Sequence, residues 1–193
     1  MSLDAYTETA TVRFHKMGIA VTGIHQHDNP VTAMESTGGV FIGGGNSFLL
    51  LRDLYAAGLI AVLRKKIFAG MPYMGTSAGS NLAGLSIGTS NDMPIAFPPS
   101  FDAIGAVPFN LNPHYPVAKP DPTHQGETRD DRINEFHFVN DQPVVALHED
   151  GMLRIEGDTR SLIGERPAYV FRPNQQRQTV NPGPLPADLF PSE

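Results

Sequence analysis

Short apolar segments alternate with helical patterns along the first half of the chain, and this alternation constrains the fold most. The segments 19–24, 39–42 and 72–74 are apolar, the first is rich in β-branched residues, and Gly- or Asn-containing turns and helical patterns follow them. Strands that alternate with helices in this way predict βαβ units and a parallel sheet. We therefore predict an α/β fold with a mainly parallel sheet.

The same periodicity predicts the remaining elements. We expect helices at 5–17, 30–35, 48–68 (interrupted at Gly58) and 127–138, and further strands at 143–147, 152–155 and 168–171. The stretch 88–122 is rich in Pro, Gly and Asn, and its lack of a period predicts a long, ordered loop that forms a site. Residues 173–193 are polar and Pro-containing, which predicts a C-terminal surface tail behind a single domain at 1–172.

Composition excludes several classes of function. The chain has 193 residues, 40% of them hydrophobic, with a net charge of −6 and no cysteine. The acidic balance disfavours nucleic acid or an anionic membrane as the partner. The absence of cysteine excludes disulfides, Cys-based zinc sites and a thiol nucleophile, and it fits a reducing compartment. Without an apolar run of about 18 residues or a signal-peptide pattern, we expect a cytoplasmic protein that does not enter a membrane.

Residues 75–79 read Gly-Thr-Ser-Ala-Gly and fit the pattern G-x-S-x-G between a predicted strand and a predicted helix. This pattern is typical of a sharp turn that raises a serine Oγ above the sheet. Ser77 is then a candidate nucleophile, and the backbone N–H of Ala78 is a candidate donor to an oxyanion. The alternative is a Gly/Ser-rich loop that only reverses the chain.

A second glycine-rich turn, Gly-Gly-Gly-Asn at 43–46, also lies between a predicted strand and a predicted helix. Backbone N–H groups at such a helix start bind anions, so Gly44 and Gly45 are candidate oxyanion donors. The alternative is a tight turn without a ligand. The G-x-G-x-x-G spacing and the P-loop lysine are absent, so a nucleotide site is not predicted.

A serine hydroxyl needs a base and a group that orients the base. His114 follows Pro113 in the predicted loop, and His124 is a second candidate base nearby. The orienting carboxylate is either Asp92 or Glu149, and the second of these follows a predicted strand, where α/β sheets hold their ligands. The residues alone leave both choices open. No His or Asp spacing indicates a metal site.

Arg129 lies in the first turn of the polar helix predicted at 127–138. Its guanidinium suits two-point binding of a carboxylate. Without further context, the residue types favour a solvated ion pair with Asp130 or Asp131 instead.

Together these segments resemble the peptidase E family of serine-type α-aspartyl dipeptidases. The resemblance spans about residues 4–171. Six motifs carry it in the family's order: VTGIH at 21–25, GGGNSF at 43–48, GTSAGSN at 75–81, TSNDMP at 89–94, NPH at 112–114 and GETR at 126–129. It implies hydrolysis of dipeptides with an N-terminal aspartate, a small peptide as the partner and no metal or other cofactor. It also implies a three-layer αβα, flavodoxin-like fold similar to the class I glutamine amidotransferases.

The resemblance also implies roles for individual residues. Ser77 corresponds to the nucleophile, His114 to the base and Glu149 to the orienting acid. Arg129 would bind the aspartyl side chain of the substrate, which reverses the preference for a solvated ion pair. Asn91 and Asp92 would shape the substrate pocket.

One departure from the family is expected to matter. Family members begin with an additional strand, helix and strand before the point that matches Asp4, and this sequence lacks them. Their absence is expected to expose apolar strand edges. Two explanations stay open: the native protein begins further upstream, or a second copy of the chain covers these edges in a homo-oligomer. Two other functions remain as alternatives: a cyanophycinase-like serine hydrolase that acts on an aspartyl-rich polymer, and a catalytically silent homologue that acts by association.

Overall fold

The computed structural model describes residues 2–117, 126–186 and 189. The first half contains α1 (Leu3–His15), α2 (Pro30–Ser36), β1 (Val40–Ile42), α3 (Ser47–Ala56), α4 (Leu59–Phe68), β2 (Tyr73–Gly75) and α5 (Ala78–Ala83). The second half contains β3 (Asn110–Asn112), α6 (Arg129–Phe136), β4 (Val144–Ala146), β5 (Met152–Glu156), β6 (Thr159–Ile163), β7 (Ala168–Phe171), β8 (Gln178–Val180) and β9 (Gly183–Pro184). None of the helices in these ranges combines the length and apolar character needed to cross a bilayer.

The described strands form three sheets. Strands β1 and β2 pair in parallel, β3 and β4 pair in parallel within the sheet β3-β4-β7-β8, and the other pairs in that sheet and in β5-β6-β9 are antiparallel. The prediction of an α/β fold with parallel strands is confirmed. The single, mainly parallel sheet is not found in the described residues. One reason is that β5 and β6 are joined by a two-residue turn at Gly157, which has φ +55°, and so short a link allows only antiparallel neighbours. The three-layer, flavodoxin-like order stays a prediction.

Residues 19–24 do not form the predicted strand. In the described part of the chain they have no strand partner, Ile19 is 49% exposed, and Ile24 begins a short 3₁₀ turn. The N–H of Gly23 donates to Oε1 of Gln26 at 2.9 Å rather than to a neighbouring strand. The prediction was wrong because β-branched residues favour a strand only where a neighbour supplies the ladder of hydrogen bonds.

The chain beyond residue 172 differs from the predicted tail. Strand β8 pairs with β7, strand β9 pairs with β6, and Val180 is buried in the same core as Val145 and Val170. The polar composition hid these strands because β8 is a short strand at the end of its sheet, with Gln178 and Thr179 exposed and only Val180 buried. Residues 178–184 therefore belong to the sheets.

Helix α5 joins the two sheets that contain parallel strands. It contacts β1, β2 and α3 in one half of the molecule and β3 in the other. Leu82 of this helix is fully buried with α3 and α4, whereas Ala83 belongs to the core formed around β4 and β7. The start of α5 therefore lies beside the carboxyl ends of β2, β3 and β4.

We expect Gly79→Ala to lower the free energy of unfolding by about 3 kcal/mol. A Cβ at Gly79 would overlap the carbonyl oxygen of Ile42 in β1 and would lie 2.8 Å from its carbonyl carbon, so α5 or β1 would have to shift. Gly38→Ala is the matched control, because a Cβ there has no atom within 4 Å. Urea denaturation measures both variants, and equal losses in the two would contradict the close packing of α5 on β1.

Candidate active site

Ser77 occupies a sharp turn between β2 and α5. Its backbone has φ 55° and ψ −115°, a conformation that costs free energy for a residue with a side chain. Small neighbours permit the turn, since a Cβ at Gly75 would lie 2.7 Å from the carbonyl carbon of Gly79. The N–H of Thr76 donates to the carbonyl of Ile42 at 3.0 Å and holds the turn on β1. The turn predicted for G-x-S-x-G is present.

His114 and Glu149 lie next to Ser77. The Nε2 of His114 is 2.8 Å from Oγ of Ser77, and its Nδ1 is 2.5 Å from Oε1 of Glu149. A carboxylate only accepts hydrogen bonds, so Nδ1 carries the hydrogen and Nε2 is left to accept from the serine hydroxyl. The backbone of His114 also has a positive φ, 59°, just after β3. The structure brings these three side chains together, in the order that proton transfer from a serine requires.

The structure also separates the alternatives that the residues alone left open. Glu149, not Asp92, contacts His114. His124, the second candidate base, lies outside the described residues. The side chains of His114 and Glu149 are 48% and 72% exposed, so the site faces solvent and a peptide can approach it. No group of three His, Cys, Asp or Glu residues in the described ranges is arranged to hold a metal ion.

Asp92 anchors the loop after α5 to the start of α3. Its Oδ2 accepts hydrogen bonds from the backbone N–H and the Oγ of Ser47, both at 2.7 Å. A carboxylate at the N-terminus of a helix is favoured by the helix dipole. The fully buried Ser47 also accepts a hydrogen bond at 3.0 Å from Asn81. No role was predicted for Ser47 or Asn81, although each stands inside a glycine-rich motif, one residue after Asn46 and two after Gly79.

Asn112 is a third polar residue for which no role was predicted. It is 1% exposed in β3, and its Nδ2 donates to the carbonyl of Thr89 at 2.8 Å and to Oδ1 of Asn91 at 3.1 Å. Its Oδ1 accepts from a guanidinium nitrogen of Arg129 at 3.1 Å. Asn91 and Arg129 are therefore held on the same buried amide. The signal was a polar residue at the end of an otherwise apolar segment.

Arg129 is half-buried, and no ion pair involves it in the described part of the chain. Burial, followed by the positive charge of Arg132, lowers the pKa of Arg129. The predicted ion pair with Asp130 or Asp131 is not present, because both acids bond other residues; Asp131, for example, accepts from Thr128 at 2.7 Å. A bound anion would relieve this unfavourable environment of the guanidinium.

The backbone N–H groups beside Ser77 fall into two kinds. Gly44 lies against the serine, since a Cβ on Gly44 would be 3.2 Å from Cβ of Ser77, and its N–H donates to Oη of Tyr6 at 3.1 Å. For Gly45 and Ala78, no partner of the N–H group is found among the described residues. Gly45 immediately precedes the N-cap of α3, and Ala78 is the first residue of α5.

Comparison with known proteins identifies the family of this chain. The model of peptidase family S51 matches residues 1–163. A peptidase E of Streptomyces coelicolor is 48% identical over 169 residues, which are 88% of this chain and 70% of that protein. A peptidase E of Shewanella amazonensis is 45% identical over 190 residues, which are 98% of this chain and 79% of that protein.

One solved structure shares the fold. The crystal structure of a peptidase from an acI-B1 actinobacterium aligns with 94% of this chain and 75% of its own chain, with a TM-score of 0.67 at 16% identity. This similarity concerns the fold alone. The family match and the two sequence relatives confirm the resemblance to peptidase E that the motifs indicated, and this chain belongs to peptidase family S51.

Proposed function

We propose that the protein is a serine peptidase that hydrolyses dipeptides with an N-terminal aspartate, with Ser77 as nucleophile, His114 as base and Glu149 as the acid that orients the base. The observation that carries this proposal is the continuous chain of contacts from Oγ of Ser77 through the imidazole to Glu149, at 2.8 and 2.5 Å. The serine stands on the strained turn that such a nucleophile requires.

The proposed reaction has two halves. In the first, Oγ of Ser77 attacks the carbonyl carbon of the aspartyl residue while Nε2 of His114 takes the hydroxyl proton. The negative charge of Glu149 stabilises the imidazolium and keeps the proton on Nδ1. His114 then gives its proton to the departing amine, the C–N bond breaks, and an ester on Ser77 remains. In the second half, His114 activates a water molecule that hydrolyses this ester and restores the serine hydroxyl.

We propose that the N–H groups of Gly45 and Ala78 stabilise the oxyanion formed in each half. Both belong to turns that lie against Ser77, and loss of one such donor typically costs about 3 kcal/mol of transition-state stabilisation. The third candidate, Gly44, donates to Tyr6. It joins the other two only when it exchanges that hydrogen bond for one to the substrate.

Selection of aspartate is assigned to Arg129. The buried amide of Asn112 orients the guanidinium, and the half-buried position lacks an acidic partner in the described ranges. The side-chain carboxylate of a substrate aspartate would supply that partner in two-point geometry. An asparagine or alanine at the same position leaves the guanidinium without its anion, which is costly at a desolvated site. Asn91 and Asp92 support the wall of this pocket through the contacts described above.

The test compares Asp-Leu with Asn-Leu and Ala-Leu by release of free leucine from the purified protein. Asn-Leu matches Asp-Leu in shape and lacks only the charge, so we expect kcat/KM for Asp-Leu to exceed that for Asn-Leu by about 100-fold or more. Equal rates on the two dipeptides would overturn the specificity. A folded, monodisperse protein without turnover would overturn the proposal and indicate a catalytically silent homologue. A preference for an aspartyl-rich polymer over the dipeptides would overturn it and indicate a cyanophycinase-like hydrolase.

A further inference from the structure

The residues that follow His114 and Arg129 in the sequence contact each other. Tyr115 follows the base and Asp130 follows the arginine, and Oη of Tyr115 donates a hydrogen bond to Oδ1 of Asp130. Tyr115 is 7% exposed, and burial, followed by the hydrogen bond to Asp130, raises its pKa, so the hydroxyl remains a donor. The pair therefore joins the backbone after β3 to the first turn of α6.

A third residue completes this contact. Arg177, in the segment between β7 and β8, donates through one guanidinium nitrogen to Oη of Tyr115 and, at 2.8 Å, to Oδ2 of Asp130. Its guanidinium lies 4.4 Å from the centre of the Tyr169 ring, a cation–π contact. We use the name positioning cluster for Tyr115, Asp130 and Arg177. Both carboxylate oxygens of Asp130 are used within it.

The cluster is also tied to the strand that precedes Glu149. The N–H of Tyr115 donates to the carbonyl of Leu147 at 2.9 Å, and the buried His148 bonds the carbonyl of Tyr115 through Nδ1 at 2.8 Å. The rings of Tyr115 and Tyr169 pack 5.1 Å apart. The backbone on which the base and its orienting acid stand is thus fixed to the same tyrosine that holds α6.

We infer that the positioning cluster sets the place of Arg129 relative to His114 and thereby the preference for an N-terminal aspartate, an inference that rests on the proposed function. Two effects contribute. The cluster fixes the first turn of α6, from which Arg129 extends. It also holds the carboxylate of Asp130, the acid next to Arg129 in the sequence, so that this carboxylate does not compete with the substrate for the guanidinium.

The test uses Arg177→Met, with Arg154→Met as the matched control. Arg177 is 41% exposed on the wall of an open cleft of about 540 Å³, so a methionine is accommodated without overpacking. Arg154 forms an equally short ion pair, 2.8 Å to Glu156, in the sheet of β5 and β6. For Arg177→Met we expect KM for Asp-Leu to rise about tenfold and kcat to change less than about threefold, with Ala-Leu hydrolysis unaffected. Arg154→Met is expected to match the unsubstituted protein.

A double-mutant cycle distinguishes positioning from a general structural role. If Arg177 acts through Arg129, then Arg177→Met has no further effect on Asp-Leu hydrolysis in an Arg129→Ala background. An additional loss of about tenfold there, or an unchanged preference for Asp-Leu in Arg177→Met, would overturn the inference. If the unsubstituted protein shows no preference for Asp-Leu, the proposed function itself fails. Tyr115→Phe keeps the ring and removes only the hydroxyl, and it replaces Arg177→Met under the same criteria if that variant does not fold.

Discussion

Replacement of Ser77 by alanine is expected to lower kcat for Asp-Leu by about 10⁴-fold or more. The substitution removes the oxygen that attacks the substrate carbonyl in the proposed reaction, while His114 and Glu149 keep their 2.5 Å contact. The proposed binding of the substrate at Arg129 does not involve the hydroxyl. We therefore expect the variant to bind Asp-Leu with unchanged affinity, measured by calorimetry alongside the steady-state rate.

Ser80→Ala is the control for this substitution. Ser80 lies in α5, three residues after Ser77, and its Oγ donates to the carbonyl of Gly75 at 3.2 Å rather than to His114. We expect this variant to retain kcat within about threefold, since the loss of one partly exposed hydrogen bond affects stability rather than chemistry. Hydrolysis by Ser77→Ala at more than a tenth of the original rate would contradict the assignment of the nucleophile.

Arg129→Ala is expected to lower kcat/KM for Asp-Leu by about 10²–10³-fold and to leave Ala-Leu hydrolysis within about threefold of its original rate. The physical reason is the loss of the proposed two-point contact, which the aspartyl side chain of Asp-Leu can make and the alanyl side chain of Ala-Leu cannot. Side-by-side steady-state kinetics on the two dipeptides measure the effect.

Arg132→Ala controls for the loss of one positive charge from α6. Arg132 is 56% exposed and lies 3.6 Å from the carboxylate of Glu127, so it contributes to the field around Arg129 without occupying the pocket. We expect Arg132→Ala to change the preference for Asp-Leu by less than about threefold.

An equal loss on both dipeptides in Arg129→Ala would contradict direct binding of the aspartyl carboxylate and would indicate damage to the serine chemistry instead.

The local features of the site could be predicted from the sequence because each depends on a few consecutive residues. The turn at Ser77 needs small neighbours and a strand before it, and both are visible in the sequence. The start of α3 is also local, because Asn46 caps this helix and its Oδ1 accepts from the N–H of Leu49 at 3.1 Å. The acid that contacts His114 could not be predicted from neighbouring residues. Its 35-residue separation from Glu149 carries no local signal, and only the resemblance favoured Glu149 over Asp92.

Elements whose stability depends on distant partners were not predictable. Strand β3 lies within the segment 88–122, which was predicted to be a loop. The strand was not predicted because Asn110 and Asn112 interrupt its apolar pattern. In the folded protein both amides are buried and bonded; Oδ1 of Asn110, for example, accepts from the N–H of Ser86 at 3.0 Å. For segment 19–24 the error was the reverse: a strand was predicted where none forms. Its composition suits a strand, but no strand in the described part of the chain pairs with it. Burial decides both cases, and a single sequence does not display it.

The position of α5 between the two sheets makes turnover sensitive to how the halves of the molecule dock. Ser77 follows β2 in the chain, whereas His114 follows β3 and Glu149 follows β4. A relative slip of about 1 Å between the sheets would separate the hydroxyl from the imidazole enough to reduce the rate by about 100-fold, although every helix and strand remains intact. Enzyme assays on this chain therefore report on interior alignment more sensitively than circular dichroism does.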